Sequence, residues 1–72
     1  MQYEFTVVIE RDEDGAYIAT VPALRGCHTA GYTEEEALEL IKDAIRLHIE
    51  ARLASGEPIP RDIDSAKVRI AV

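Results

Sequence analysis

The stretch Thr33–Ser55, TEEEALELIKDAIRLHIEARLAS, decides the fold, because it reads as the only helix in the chain. Thr33 ahead of Glu34, Glu35 and Glu36 makes an N-cap whose capping-box partner, Glu36, stands three residues on. Carboxylates in the first turn also suit the positive end of the helix dipole. Ala37, Leu38, Ile41, Ala44, Ile45, His48 and Ile49 then recur at a spacing of about 3.6 residues. Ser55-Gly56 ends the run, and Pro58 and Pro60 prevent its return.

On a helical wheel this stripe is wider than a sheet requires. Leu40, Leu47, Ala51 and Ala54 lie to one side of it and extend the apolar arc to roughly half the circumference. A helix resting on one sheet needs an arc of only about 100°. The excess predicts a second buried contact, with another copy of the chain or with a protein partner. Those four residues are the candidate oligomer interface, and a homo-dimer or homo-tetramer is the expected state.

Upstream, Gln2–Arg11 alternates, with Tyr3, Phe5, Val7 and Ile9 on one face, which predicts a half-buried strand. Asp12-Glu13-Asp14-Gly15 is a hairpin turn signal, and Ala16–Val21 is a second strand stopped by Pro22. Tyr17 and Ile18 are both plausible core residues, so the buried face of that strand stays open. Ala23–Gly26 reads as a loop, and Cys27–Tyr32 as a third strand delivering the chain to the Thr33 cap. Gly31 fits a close approach of two backbones. Beyond the helix, Glu57–Ala66 is an extended connection and Lys67–Val72 alternates again, with Val68, Ile70 and Val72 on one face. The expected architecture is α+β, in the order β-β-β-α-β. A right-handed crossover places the strands 3-2-1-4, with the helix on one face of a four-stranded sheet. Residues 1–72 read as a single domain.

Composition narrows the function classes. Fourteen acidic against eight basic residues give a net charge of −6, so the chain lacks a basic footprint for nucleic acid. An acidic surface fits a basic protein partner. One cysteine excludes an internal disulfide, and neither a signal peptide nor a membrane span is evident, so a cytoplasmic setting is expected and no membrane partner. Adjacent strand residues Cys27 and His28 point to opposite faces and cannot act as a nucleophile–base pair. His48 lies within the apolar stripe. With no metal-ligand spacing and no phosphate-binding glycine loop, the reading assigns no catalytic residue, no metal and no cofactor.

Several stretches, taken in order, resemble the HicB antitoxins. They are Phe5–Glu10, Asp12–Ala19, Val21–Cys27, the Thr29-x-Gly31-x-Thr33-x-Glu35-Glu36-Ala37 approach to the helix, and Gly56–Pro60 after it. The resemblance implies a partial ribonuclease-H-like fold without nuclease carboxylates. It also implies an antitoxin of a type II toxin–antitoxin pair, which occludes HicA, a small basic toxin that cleaves messenger RNA with a histidine. Asp12, Glu13, Asp14, Glu34 and Glu35 are then the candidate toxin-binding acids, with Tyr17 and Tyr32 as aromatic anchors. Many family members carry a C-terminal DNA-binding domain; here Val72 comes directly after the expected fourth strand, so no direct DNA binding is expected. The alternative function is a stand-alone oligomeric HicB-like module that binds a small ligand or another protein.

Overall fold

A computed structural model describes residues 2–72. It contains β1 (Val8–Arg11), β2 (Tyr17–Thr20), β3 (His28–Gly31) and α1 (Glu34–Ser55). The three strands form an antiparallel sheet in the order β1-β2-β3. Their register sets two rows, Arg11 opposite Tyr17 opposite Gly31, and Ile9 opposite Ala19 opposite Thr29. Side chains alternate across a strand, so these rows share one face and the intervening residues the other. The face carrying Ala19 is the one α1 covers, since Ala19 and Val21 are buried and Tyr17 packs against them. That settles the second strand: Tyr17 faces the helix side and Ile18 the open side.

The four-stranded sheet of order 3-2-1-4, and with it the partial ribonuclease-H-like architecture, is not formed. Residues 57–72 make no strand. Val68 and Ile70, expected to face the core, are 77% and 72% exposed. The reason lies in how the chain returns from the helix. Pro58 and Pro60 have no N–H to give a ladder. Asp62 then meets Thr6 through its side chain, its Oδ1 accepting from the Thr6 N–H at 2.9 Å and its Oδ2 from the Thr6 hydroxyl at 2.8 Å. A side-chain anchor fixes one point without setting a strand register, and the residues beyond it remain exposed. The first strand is also shorter than expected: the ladder with β2 begins at Val8, and residues 3–7 lie outside it.

The helix itself forms where its spacing and caps place it. The Thr33 hydroxyl accepts the Glu36 N–H at 3.1 Å, and Gly56 closes the other end at φ 74°, donating to Arg52 and Leu53 carbonyls. The core is small: Ala19, Val21, Leu24, Cys27, Ala37 and Ile41. Leu24 enters it from the connection between β2 and β3, where Val21 donates to the Cys27 carbonyl, Cys27 to the Leu24 carbonyl, and Leu24 to the Val21 carbonyl, each at 3.0 Å. Helix and strands differ greatly in length. Twenty-two helical residues extend about 33 Å, whereas a four-residue strand covers only about 13 Å. The C-terminal half of α1 therefore outruns the strands beneath it.

Candidate protein-binding site

Thr29, Gly31 and Thr33 position the end of the molecule where the candidate toxin-binding residues gather. The Thr29 hydroxyl donates to the Ala37 carbonyl at 3.0 Å, tying the first turn of α1 to β3. At Gly31, an added Cβ would stand 2.8 Å from the Ala37 backbone nitrogen and 3.1 Å from the Glu36 Cβ. Only glycine lets the helix start lie that close to the strand. Thr33 then caps the helix. The family-like run is thus a joint between sheet and helix.

That joint brings the seven candidate residues to the same end of the sheet. The register row Arg11–Tyr17–Gly31 means that the turn after Arg11 and the turn after Gly31 lie side by side. A cleft of about 260 Å³ between them is lined by Ala16, Ala30, Gly31, Tyr32 and Glu36. Tyr32 is 86% exposed at its rim. Asp12, Glu13, Asp14, Glu34 and Glu35 are all exposed. Their tasks differ. Asp12 Oδ1 accepts the N–H groups of Asp14 and Ala16 at 2.9 Å, so Asp12 shapes the hairpin turn, with Gly15 at φ 85° completing it. Tyr17 is half-buried against the core with the Arg11 guanidinium 5.6 Å from its ring centre. Glu13, Asp14, Glu34 and Glu35 are exposed acids at the same end of the sheet as exposed Tyr32.

The helix has two further uncovered flanks. Leu40, Leu47, Ala51 and Ala54 all lie exposed along one side, with Leu47 at 66%. The opposite side was not singled out from the sequence. There Tyr3, Ile45, Ile49 and Leu53 line a groove of about 420 Å³, rimmed by Lys42, Arg46 and Glu50. Its signal was available in the mismatch between a 22-residue helix and short strands, but periodicity alone assigned Ile45 and Ile49 to the core.

The nucleophile and imidazoles have structural surroundings. Cys27 is buried, and burial pushes its thiol up from the ordinary value. His28 is exposed on the open face of β3. His48 Nε2 accepts from Arg52 Nε at 2.8 Å, and Arg52 also donates to the Pro58 carbonyl at 3.1 Å, holding the last helical turn to the exit loop. Among the described residues, no three His, Cys, Asp or Glu side chains group to hold a metal ion. Among the same residues, no helix is long and apolar enough to cross a membrane.

Sequence comparison decides the family. The profile of the HicB-like antitoxins of bacterial toxin–antitoxin systems matches residues 5–70. The chain belongs to the HicB-like antitoxin family. Relatives of this HicB-like chain include a UPF0150 protein of Thermoplasma acidophilum, 54% identical over 59 residues that span 82% of this chain and 86% of that one. A UPF0150 protein of Synechocystis is 45% identical over 60 residues, 83% of this chain and 76% of its own. Another, from Archaeoglobus fulgidus, is 47% identical over 49 residues, 68% and 71% respectively. Membership carries an antitoxin role in a toxin–antitoxin system and points to a partner toxin and a non-catalytic part in the pair.

Proposed function

We propose that this HicB-like protein neutralises a HicA-like, basic, messenger-RNA-cleaving toxin by seating it on the acidic end formed by the β1–β2 hairpin and the start of α1. What supports this reading is that exposed Glu13, Asp14, Glu34 and Glu35 stand at the same end of the sheet as exposed Tyr32, in a chain of an antitoxin family. The net charge of −6 adds attraction for a basic partner. The chain acts by occlusion, without chemistry of its own. Self-association through Leu40, Leu47, Ala51 and Ala54 accompanies this role and leaves the acidic end open.

The experiment is co-expression with a small basic protein encoded beside this gene, then pull-down and an RNA-cleavage assay. Complex formation with loss of cleavage is the expected result. Reversing Glu13 and Asp14 to Lys should slow association and flatten its salt dependence, because rim acids act on the encounter. Tyr32→Ala should shorten complex lifetime, since an aromatic anchor acts on dissociation. Undiminished cleavage with this chain in excess would overturn the reading.

A further inference from the structure

The first turn of α1 departs from its sequence signature at one carboxylate. A capping box would return the Glu36 side chain to the Thr33 N–H. Only half of that exchange is made: the Thr33 hydroxyl accepts the Glu36 N–H at 3.1 Å. Among the described residues, the Glu36 carboxylate has neither a hydrogen-bond partner nor an ion-pair partner. The Glu36 side chain lies instead against Gly31, with its Cβ and Cγ each 3.1 Å from where a Gly31 Cβ would stand. There it lines the cleft that opens where the ladder of β2 and β3 ends.

The other lining residues fit the same occupant. Ala16, Ala30 and Gly31 are small and keep the cleft open, and Tyr32 supplies an aromatic wall. Tyr32 is 86% exposed, and among the described residues its ring has no aromatic or cationic contact and its hydroxyl no hydrogen bond. At about 260 Å³, the cleft is below the ~300–1,000 Å³ of small-molecule sites and suits a single side chain. A flat cation meets both walls at once: a guanidinium can lie over a tyrosine face while its N–H groups pair with a carboxylate. An ammonium is a compact, strongly hydrated point charge and does not stack in this way. The neighbouring hairpin already shows the stacking half of the arrangement, with the Arg11 guanidinium 5.6 Å from the Tyr17 ring centre. The helix dipole opposes a cation here with about half a charge. Three carboxylates in the same turn, Glu34, Glu35 and Glu36, outweigh it.

We infer that this cleft is a socket for one arginine side chain of a protein partner, stacked on Tyr32 and paired with the Glu36 carboxylate. The inference deepens the proposed toxin binding and rests on it for the partner, whereas the socket chemistry rests on the cleft. It adds Glu36, assigned by its spacing to the helix cap, to the contact residues.

The test has two arms, both on the full chain. In the first, isotope-labelled protein is titrated with a blocked Gly-Arg-Gly peptide and with its Gly-Lys-Gly counterpart, and amide resonances are followed. Shifts should centre on Gly31, Tyr32 and Glu36, with the arginine peptide bound roughly 3-fold more tightly than the lysine peptide. They should disappear in Glu36→Gln and in Tyr32→Leu. Equal shifts from the two peptides, or shifts spread over all the exposed acids, would overturn the socket. In the second arm, the complex with the co-expressed small basic protein is measured. Glu36→Gln and Tyr32→Leu should each raise its Kd about 10-fold to 100-fold. Asp64→Asn, which removes the same charge outside the cleft, should change it by less than about 2-fold. One arginine of the basic protein, replaced by alanine, should couple to both variants in double-mutant cycles. Urea unfolding checks that the variants remain folded. A toxin neutralised equally by wild type and both variants would overturn the socket and leave the toxin reading standing. Absence of any complex would overturn the toxin reading, and the peptide arm then decides the socket alone.

Discussion

Gly31→Ala tests whether the strand and the helix meet as closely as the structure places them. The new Cβ would sit 2.8 Å from the Ala37 backbone nitrogen and 3.1 Å from both Cβ and Cγ of Glu36. Glu36 can swing its side chain aside, but a backbone nitrogen in the first helical turn cannot rotate away. The helix start must lift by some tenths of an ångström. That movement strains the 3.0 Å bond from Thr29 to the Ala37 carbonyl and the Thr33 cap beside it. Overpacking of this kind costs about 1–3 kcal/mol. Replacing glycine restricts the unfolded chain and returns roughly 0.4–1 kcal/mol, because Gly31 does not need a positive φ. The net expectation is a loss of about 1–2 kcal/mol, or roughly 5–15 °C in Tm for a chain of this size. Urea unfolding monitored by circular dichroism, at one fixed protein concentration, reads it directly. The urea midpoint should fall with its slope unchanged. A Gly31→Ala protein as stable as wild type would refute the close contact and, with it, the role of the Thr29–Thr33 run as a joint.

Thr33→Ala should lose about 1 kcal/mol, because the Glu36 N–H at the helix start is left to water, and Thr33→Ser far less; equal losses in urea would assign Thr33 to packing instead. Ile41→Ala removes one of the largest buried side chains and should cost about 2–5 kcal/mol. Leu47→Glu, on the exposed flank, should change subunit stability by less than about 0.5 kcal/mol while weakening self-association, both read by unfolding and sedimentation together. The Asp62 anchor should depend on pH with a definite sign. Hydrogen bonds from the Thr6 N–H and hydroxyl hold its carboxyl below the ordinary carboxylate value. The anchor is therefore complete above that ordinary value, about 3.9, and is lost as the pH falls through the lower folded value. The Thr6 amide resonance should hold its position down to about pH 4 and move only in more acidic solution; a midpoint at or above the ordinary value would remove these bonds.

The helix and its attachment were legible because their determinants are local. Thr33, Gly56 and the apolar spacing act within a few residues, and Gly31 is read from its place just ahead of the cap. The hairpin was legible for the same reason, since Asp12 and Gly15 build the turn from their own neighbours. The fourth strand was misread because alternation reports that a segment has an apolar face and is silent on what meets that face. Val68, Ile70 and Val72 carry the pattern of a buried strand and stay exposed. Tyr17 and Ile18 show the same limit at smaller scale, as only the register with β3 chose between them. The groove was hidden because it depends on the helix being longer than the sheet, which required the observed strand ends.

The helix also separates two kinds of surface by physical chemistry and by distance. Charge collects at its start, where Glu34 and Glu35 face the same end as Glu13 and Asp14. Apolar area collects along its second half, in Ile49 and Leu53 on one flank and Leu47 and Ala51 on the other. Fifteen residues from Glu34 to Ile49 amount to about 22 Å along the axis, more than two Debye lengths at physiological salt, each about 8 Å. An anionic rim at that distance would neither repel a second copy at the apolar half nor be covered by it. Desolvation of Glu13, Asp14, Glu34 and Glu35 would therefore not enter a self-association through the apolar half, and burial there would not draw on the surface that would meet a basic toxin. If the acidic end is the toxin's seat, each copy in an assembly would keep it accessible, because Glu34, Glu35 and Glu36 occupy the first helical turn whereas Leu47, Ile49, Ala51 and Leu53 lie in its second half.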